Sequence, residues 1–84
     1  MGKVVVYTSD SCPYCVRAKS LLKKKGVEVE EVDVFMDIRA REEMQSRTAG
    51  ARSVPQIFIG DTHVGGCDEL YALEKEGKLD PLLA

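Results

Sequence analysis

The sequence is notable first for what it lacks. There is no excess of basic side chains: 12 Lys and Arg against 14 Asp and Glu leave a formal charge of −2. That argues against a nucleic-acid binder, which normally carries a basic stripe. No apolar run approaches the length of a membrane span. Met1-Gly2-Lys3 leads straight into a strand-like segment without a secretory apolar core, and Val6 stands where a myristoylation signal wants Ser or Thr. Neither a repeat nor a linker nor a low-complexity tract divides the chain, so residues 1–84 read as one small domain. Cysteine is scarce, with 3 in all. An odd number suits no secreted disulfide framework and points to a reducing, cytoplasmic compartment in which any disulfide is transient. The expectation is a soluble monomer with no nucleic-acid or membrane partner.

What the chain does have is Cys12-Pro13-Tyr14-Cys15, set between Val4-Val5-Val6-Tyr7 and a run of helix formers from Arg17 to Lys23. The two cysteines therefore stand at a strand-to-helix junction. With Cys12 as N-cap, Pro13 takes the first helical position, where its fixed φ fits and its missing N–H costs nothing. The amides of Tyr14 and Cys15 then aim back at the Cys12 sulfur, and the positive end of the helix dipole favours a thiolate there. Cys12 is expected to be the reactive sulfur and Cys15, one turn further in, the resolving thiol. A C-x-x-C is also half of many zinc sites. Here no second pair exists, and a set of Cys12, Cys15, Cys67 and His63 would need the hairpin at His63 to fold over the helix start. Dithiol redox chemistry is the preferred reading.

Residues 3–8 read as a central strand, and a helix follows to about Lys25, closed by Gly26. Val27 to Val34 reads as an edge strand whose alternation slips, through a bulge or an early end. Asp37 is a plausible N-cap for a second helix with Ala40 and Met44 inward, ending between Arg47 and Gly50. Gln56 to Ile59 and Thr62 to Val64 form a hairpin turned by Gly60-Asp61. A third helix, with Asp68 as N-cap and Leu70, Tyr71 and Leu73 inward, stops at Gly77, and Asp80-Pro81 repeats the cap-then-proline pattern near the end. The order is βαβαββα.

Two further stretches carry chemistry. In Ser53-Val54-Pro55 the proline forces Val54 to be extended, leaving its N–H and C=O free to pair with an extended ligand. The base rate favours a trans bond before Pro55. In Gly65-Gly66-Cys67-Asp68 the glycines admit a ligand closely, a helix start offers N–H groups to a carboxylate, and Asp68 can accept from an ammonium. Carboxylate and ammonium together describe an amino-acid zwitterion. Cys67 beside it reads as a small, partly buried bystander.

Y-T-x-x-x-C-P-Y-C, then S-V-P, then G-G-C-D, in a chain of this length, resembles the glutaredoxins, in particular the small bacterial dithiol type. The resemblance implies a thioredoxin fold, an α/β arrangement of four mixed strands in order 2-1-3-4 flanked by helices on both faces. It also implies a cis peptide at Val54-Pro55 facing Cys12, and glutathione as cosubstrate with no tightly bound cofactor. Val54 would pair with the cysteinyl part of glutathione, Tyr14 would flank the groove beside Ser53 and Pro55, and Gly66, Cys67 and Asp68 would hold the γ-glutamyl end. The lysine that usually meets the glycyl carboxylate is Ser9 here, so Arg39, Arg41 and Arg52 are candidates for that role. Implied partners are glutathionylated or disulfide-containing proteins, with glutathione reductase acting indirectly. Alternatives are a redoxin served by thioredoxin reductase and a [2Fe–2S] carrier or scaffold.

Overall fold

The structure is a computed structural model that describes residues 3–9, 12–51 and 53–83. Its elements are β1 (Val4–Thr8), α1 (Pro13–Lys24), β2 (Val29–Asp33), α2 (Ile38–Arg47), β3 (Gln56–Ile59), β4 (Thr62–Gly65), α3 (Cys67–Lys75) and α4 (Leu79–Leu83). The strands form one sheet in the order β2-β1-β3-β4. β1 runs parallel to β2 and antiparallel to β3, and β3 pairs antiparallel with β4. All five residues of β1 are buried, as a strand covered on both faces requires.

Alternation along β1 assigns its side chains to two cores. Val4 and Val6 pack with Ala18, Leu21 and Leu22 of α1, Leu70 of α3 and Leu79 and Leu83 of α4. Val5 and Tyr7 face the opposite layer, where Ala40 and Met44 of α2 close over Phe58 and Val34. The polar end of Tyr7 is satisfied there: its hydroxyl donates to Glu43 Oε1 at 2.8 Å and accepts from Arg47 Nη1 at 2.8 Å. The Arg47 guanidinium also lies 4.0 Å from the centroid of the Phe58 ring, so the edge of this second core is sealed by a cation against an aromatic face.

The structure corrects three local expectations. β2 is an edge strand but needs no bulge, since its register with β1 runs unbroken from Val29 to Asp33. Val27 and Val29 pack on the first core and Val32 on the second. What looked like slipped alternation is one edge strand covered first on one face and then on the other. α3 begins two residues before the expected start, with Gly66 as N-cap and Asp68 inside the first turn. The Glu69 side chain reaches back to accept from the Gly66 amide at 2.8 Å, which frees Asp68 from capping. Asp80 likewise caps nothing: α4 already starts at Leu79, and the Asp80 carboxylate pairs with Lys25 Nζ at 2.8 Å.

Gly26 and Gly77 take the positive φ values expected after α1 and α3, 75° and 72°. Between β3 and β4 the register shifts by one at Ile57/Phe58, leaving Val64 as the extra residue. The chain then swings through Gly65, at φ 114°, into α3.

Burial sets two expectations for stability. Leu22 is wholly buried in the first core, so Leu22→Ala should cost about 2–5 kcal/mol in denaturant unfolding, and a cost under about 1 kcal/mol would mean that α1 does not close that core. The thiols of Cys15 and Cys67 and the phenol of Tyr7 are all pushed up, chiefly by burial. As pH rises the unfolded chain releases these protons first, so the full stability holds below the unfolded thiol value of about 8.5 and declines above it. Reduced protein should therefore lose stability steadily from about pH 8.5 upward, and Cys67→Ala should flatten the decline. Stability constant across that range would contradict the assignment.

Candidate functional site

β1 and β2 are parallel, and the loop after β1 carries the chain to the start of α1 at that same sheet end. Cys12 is the N-cap of α1, extended at φ −97° and ψ 108°, and Pro13 follows at the first helical position. The Cys12 carbonyl accepts from the Val16 amide at 3.3 Å, opening the helical ladder. Its sulfur accepts from the Cys15 amide at 3.3 Å. Among the described residues this is the one backbone donor bonded to the sulfur; the Tyr14 amide, expected to join it, does not. The Cys15 amide belongs to the first turn of the 12-residue helix α1.

Cys15 is completely buried. Its thiol is pushed up by burial first and by the neighbouring Cys12 second, so the inner sulfur is held as a thiol while the outer one sits at the half-buried rim. All three cysteines are free.

Opposite α1, Ser53-Val54-Pro55 crosses the same end of the sheet, and the Val54-Pro55 bond is cis. The Cys12 thiol donates to the Val54 carbonyl at 3.6 Å, which places that sulfur against the segment expected to pair with a ligand. The buried Gln56 side chain holds that segment, its Nε2 donating to the Ser53 carbonyl at 2.9 Å and to Ser53 Oγ at 3.3 Å. Gln56 Oε1 in turn meets His63 Nε2 at 2.8 Å, and the His63 ring stacks on Phe58. His63 is thus engaged with β3. Among the described residues no group of three or more His, Cys, Asp or Glu side chains is placed to hold a metal ion.

A groove of about 190 Å³ is lined by Tyr14, Ser53, Val54, Pro55, Gly66, Cys67, Asp68 and Glu69. Seven of these eight are residues singled out in the sequence, contributed by three separate stretches of chain. Cys12 itself stands at the border of the groove and meets it through Val54. Tyr14 is 54% exposed, forming one wall. Gly66 sits with room for a Cβ only 3.3 Å from Glu69 Oε1 and 3.4 Å from the Pro55 carbonyl, so a side chain there would crowd the floor.

Glu69 was not expected. Its signal in the sequence is an acidic residue three places after the glycine that caps the helix, a signal that a cap at Asp68 would hide. Arg39 and Arg41 lie exposed on α2 and do not line the groove. Arg52 lies outside the described residues.

Comparison with known proteins agrees with this arrangement. A family model described as glutaredoxin matches residues 4–64. A glutaredoxin of Pseudomonas aeruginosa is 55% identical over 84 residues, spanning 100% of this chain and 99% of its own. The solution structure of glutaredoxin from Brucella melitensis superposes with a TM-score of 0.84 at 57% identity, covering 99% of this chain and 89% of that one. A crystal structure of a buckwheat glutaredoxin–glutathione complex superposes at 0.87 with 30% identity, covering 98% and 76%. The sheet order and helix placement are those of the thioredoxin fold, and with a match at 55% identity along its whole length the chain belongs to the glutaredoxin family.

Proposed function

We propose that this protein is a glutathione-dependent thiol–disulfide oxidoreductase with Cys12 as nucleophile and Cys15 as resolving thiol. The observation that carries the reading is the contact of Cys12 Sγ with the Val54 carbonyl, 3.6 Å away at the border of the groove. An extended peptide laid along Val54 in β fashion brings its own cysteine sulfur to that atom. The Val54 carbonyl, occupied by the Cys12 thiol in the free protein, becomes available to a ligand amide when Cys12 ionises. The related buckwheat protein was crystallised with glutathione, which supports the tripeptide as ligand here.

In the monothiol route the Cys12 thiolate attacks the glutathionyl sulfur of a protein–glutathione mixed disulfide. The protein thiolate leaves and Cys12 remains joined to glutathione, to be freed by a second glutathione. In the dithiol route Cys12 attacks a protein disulfide, and Cys15 then displaces the product, closing a Cys12–Cys15 disulfide that glutathione reduces. The backbone of Val54, the Tyr14 ring and the turn from Gly66 to Asp68 hold the tripeptide, with the α3 amides toward its γ-glutamyl carboxylate and Asp68 toward its ammonium. The complete burial of Cys15 behind Cys12 favours this dithiol enzyme over a cluster carrier. Free cysteines suit a reducing compartment, and we place the protein in the cytoplasm, as a monomer.

Cys12→Ser should abolish both reactions, whereas Cys15→Ser should keep deglutathionylation and lose the reduction of protein disulfides; turnover in the Cys12→Ser protein would contradict the assignment. Asp68→Ala should raise the KM for glutathione about 3- to 10-fold, an exposed ion pair being worth little more, with a smaller change in kcat. An unchanged KM would remove Asp68 from the site.

A further inference from the structure

Thr8 ends β1 on the side of the sheet it shares with Val4 and Val6, the side that α1 covers. The buried side of α1 presents Leu22, Leu21, Ala18 and Cys15. Thr8, last in the line of alternate β1 residues, lies beneath the turn that carries Cys15. Both are interior, with Thr8 6% and Cys15 0% exposed. The Thr8 hydroxyl is the buried side-chain polar atom, among the described residues, that has no hydrogen-bond partner. Buried hydroxyls are as a rule paired, and one that is not calls for a reason. Its neighbour is the Cys15 sulfur, whose ionised form it favours while burial opposes that form.

We propose that Thr8 is a catalytic residue of the dithiol route: its hydroxyl, idle while Cys15 is a thiol, donates to the Cys15 sulfur when that sulfur carries negative charge. The inference rests on the dithiol reading above. When a glutathione thiolate attacks Cys12 Sγ of the oxidised protein, a sulfur–sulfur bond forms between glutathione and Cys12. The Cys12–Cys15 bond breaks, and its electron pair goes to Cys15 Sγ, which afterwards takes a proton from solvent. In the opposite direction Cys15 gives up its proton and attacks Cys12 Sγ, and the thiolate joined to Cys12 leaves with the electron pair. Both directions pass through charge on a sulfur cut off from water, where desolvation resists it. A donor already in place needs no rearrangement to meet that charge.

The test compares Thr8→Val, which keeps the shape and removes the hydroxyl, with Thr8→Ser, which keeps the hydroxyl. Oxidised protein is mixed rapidly with glutathione and Cys12–Cys15 opening is followed, and closure is followed in the reverse direction. Thr8→Val should slow opening and closure by a common factor of about 10 to 100, the worth of one hydrogen bond to a charged group. The equilibrium with glutathione at neutral pH should stay put, because Cys15 ends as a thiol. Thr8→Ser should restore the rate. In a Cys15→Ser background, where that charge never forms, the effect of Thr8→Val on deglutathionylation should vanish. A Thr8→Val protein reacting at the parental rate, one equally slow in the Cys15→Ser background, or one that loses its fold would each overturn the proposal. Absence of glutathione-driven reduction in the parent protein itself would instead remove the reading on which it rests.

Discussion

The Cys12 sulfur is held between two backbone groups that come from opposite walls of the site. The Cys15 amide at 3.3 Å belongs to the first turn of α1, and the Val54 carbonyl at 3.6 Å belongs to the segment before β3. The first is a donor to the sulfur and the second an acceptor from it, so the atom bridges the two walls. Everything that fixes α1 and β3 relative to each other serves that placement. β1 lies between the two, bonded to β3 and packed under α1, so a wholly buried strand stands directly behind the Cys12 sulfur.

Burial separates the two cysteines of the motif. Cys12 sits half-buried at the rim; Cys15 is sealed inside, where a thiol is cheaper than a thiolate. In the proposed reaction that arrangement would protect a mixed disulfide at Cys12 from premature closure, since the inner sulfur must first lose its proton against the desolvation cost. The same burial makes the interior sensitive to alkali, through Cys15, Cys67 and Tyr7 together. A second feature of the core serves the site at longer range. Gln56, buried under the Ser53-Val54-Pro55 segment, spends its amide on Ser53 and its carbonyl on His63, so that segment is anchored by side-chain bonds as well as by β3.

Much of this was legible in the residues. The cap-then-proline start of α1, the two-faced burial of β1 and the Gly60-Asp61 hairpin follow from local rules, and these bring Cys12 to the surface at one end of the sheet. What composition could not give was which cap the folded chain uses. Asp68 is a good N-cap by residue type, but Glu69 folds back on the Gly66 amide and the cap is Gly66. Asp80 is a good cap by residue type, but Lys25, the C-cap of α1, claims its carboxylate. The alternation of β2 misled because two glutamates, Glu30 and Glu31, occupy the stretch where cover passes from one face to the other. The cis bond at Val54-Pro55 ran against the base rate, and only the resemblance to a known family pointed to it.

The claim on which the account turns is that a tripeptide joined to Cys12 lies along Val54 with its γ-glutamyl end at the start of α3. The most direct measurement is an experimental structure of the Cys15→Ser protein after reaction with oxidised glutathione. The account predicts a disulfide at Cys12, main-chain pairing between the tripeptide and Val54, and the zwitterion against the turn from Gly66 to Asp68. A tripeptide attached at Cys67, or one joined to Cys12 but lying away from Val54, would contradict it.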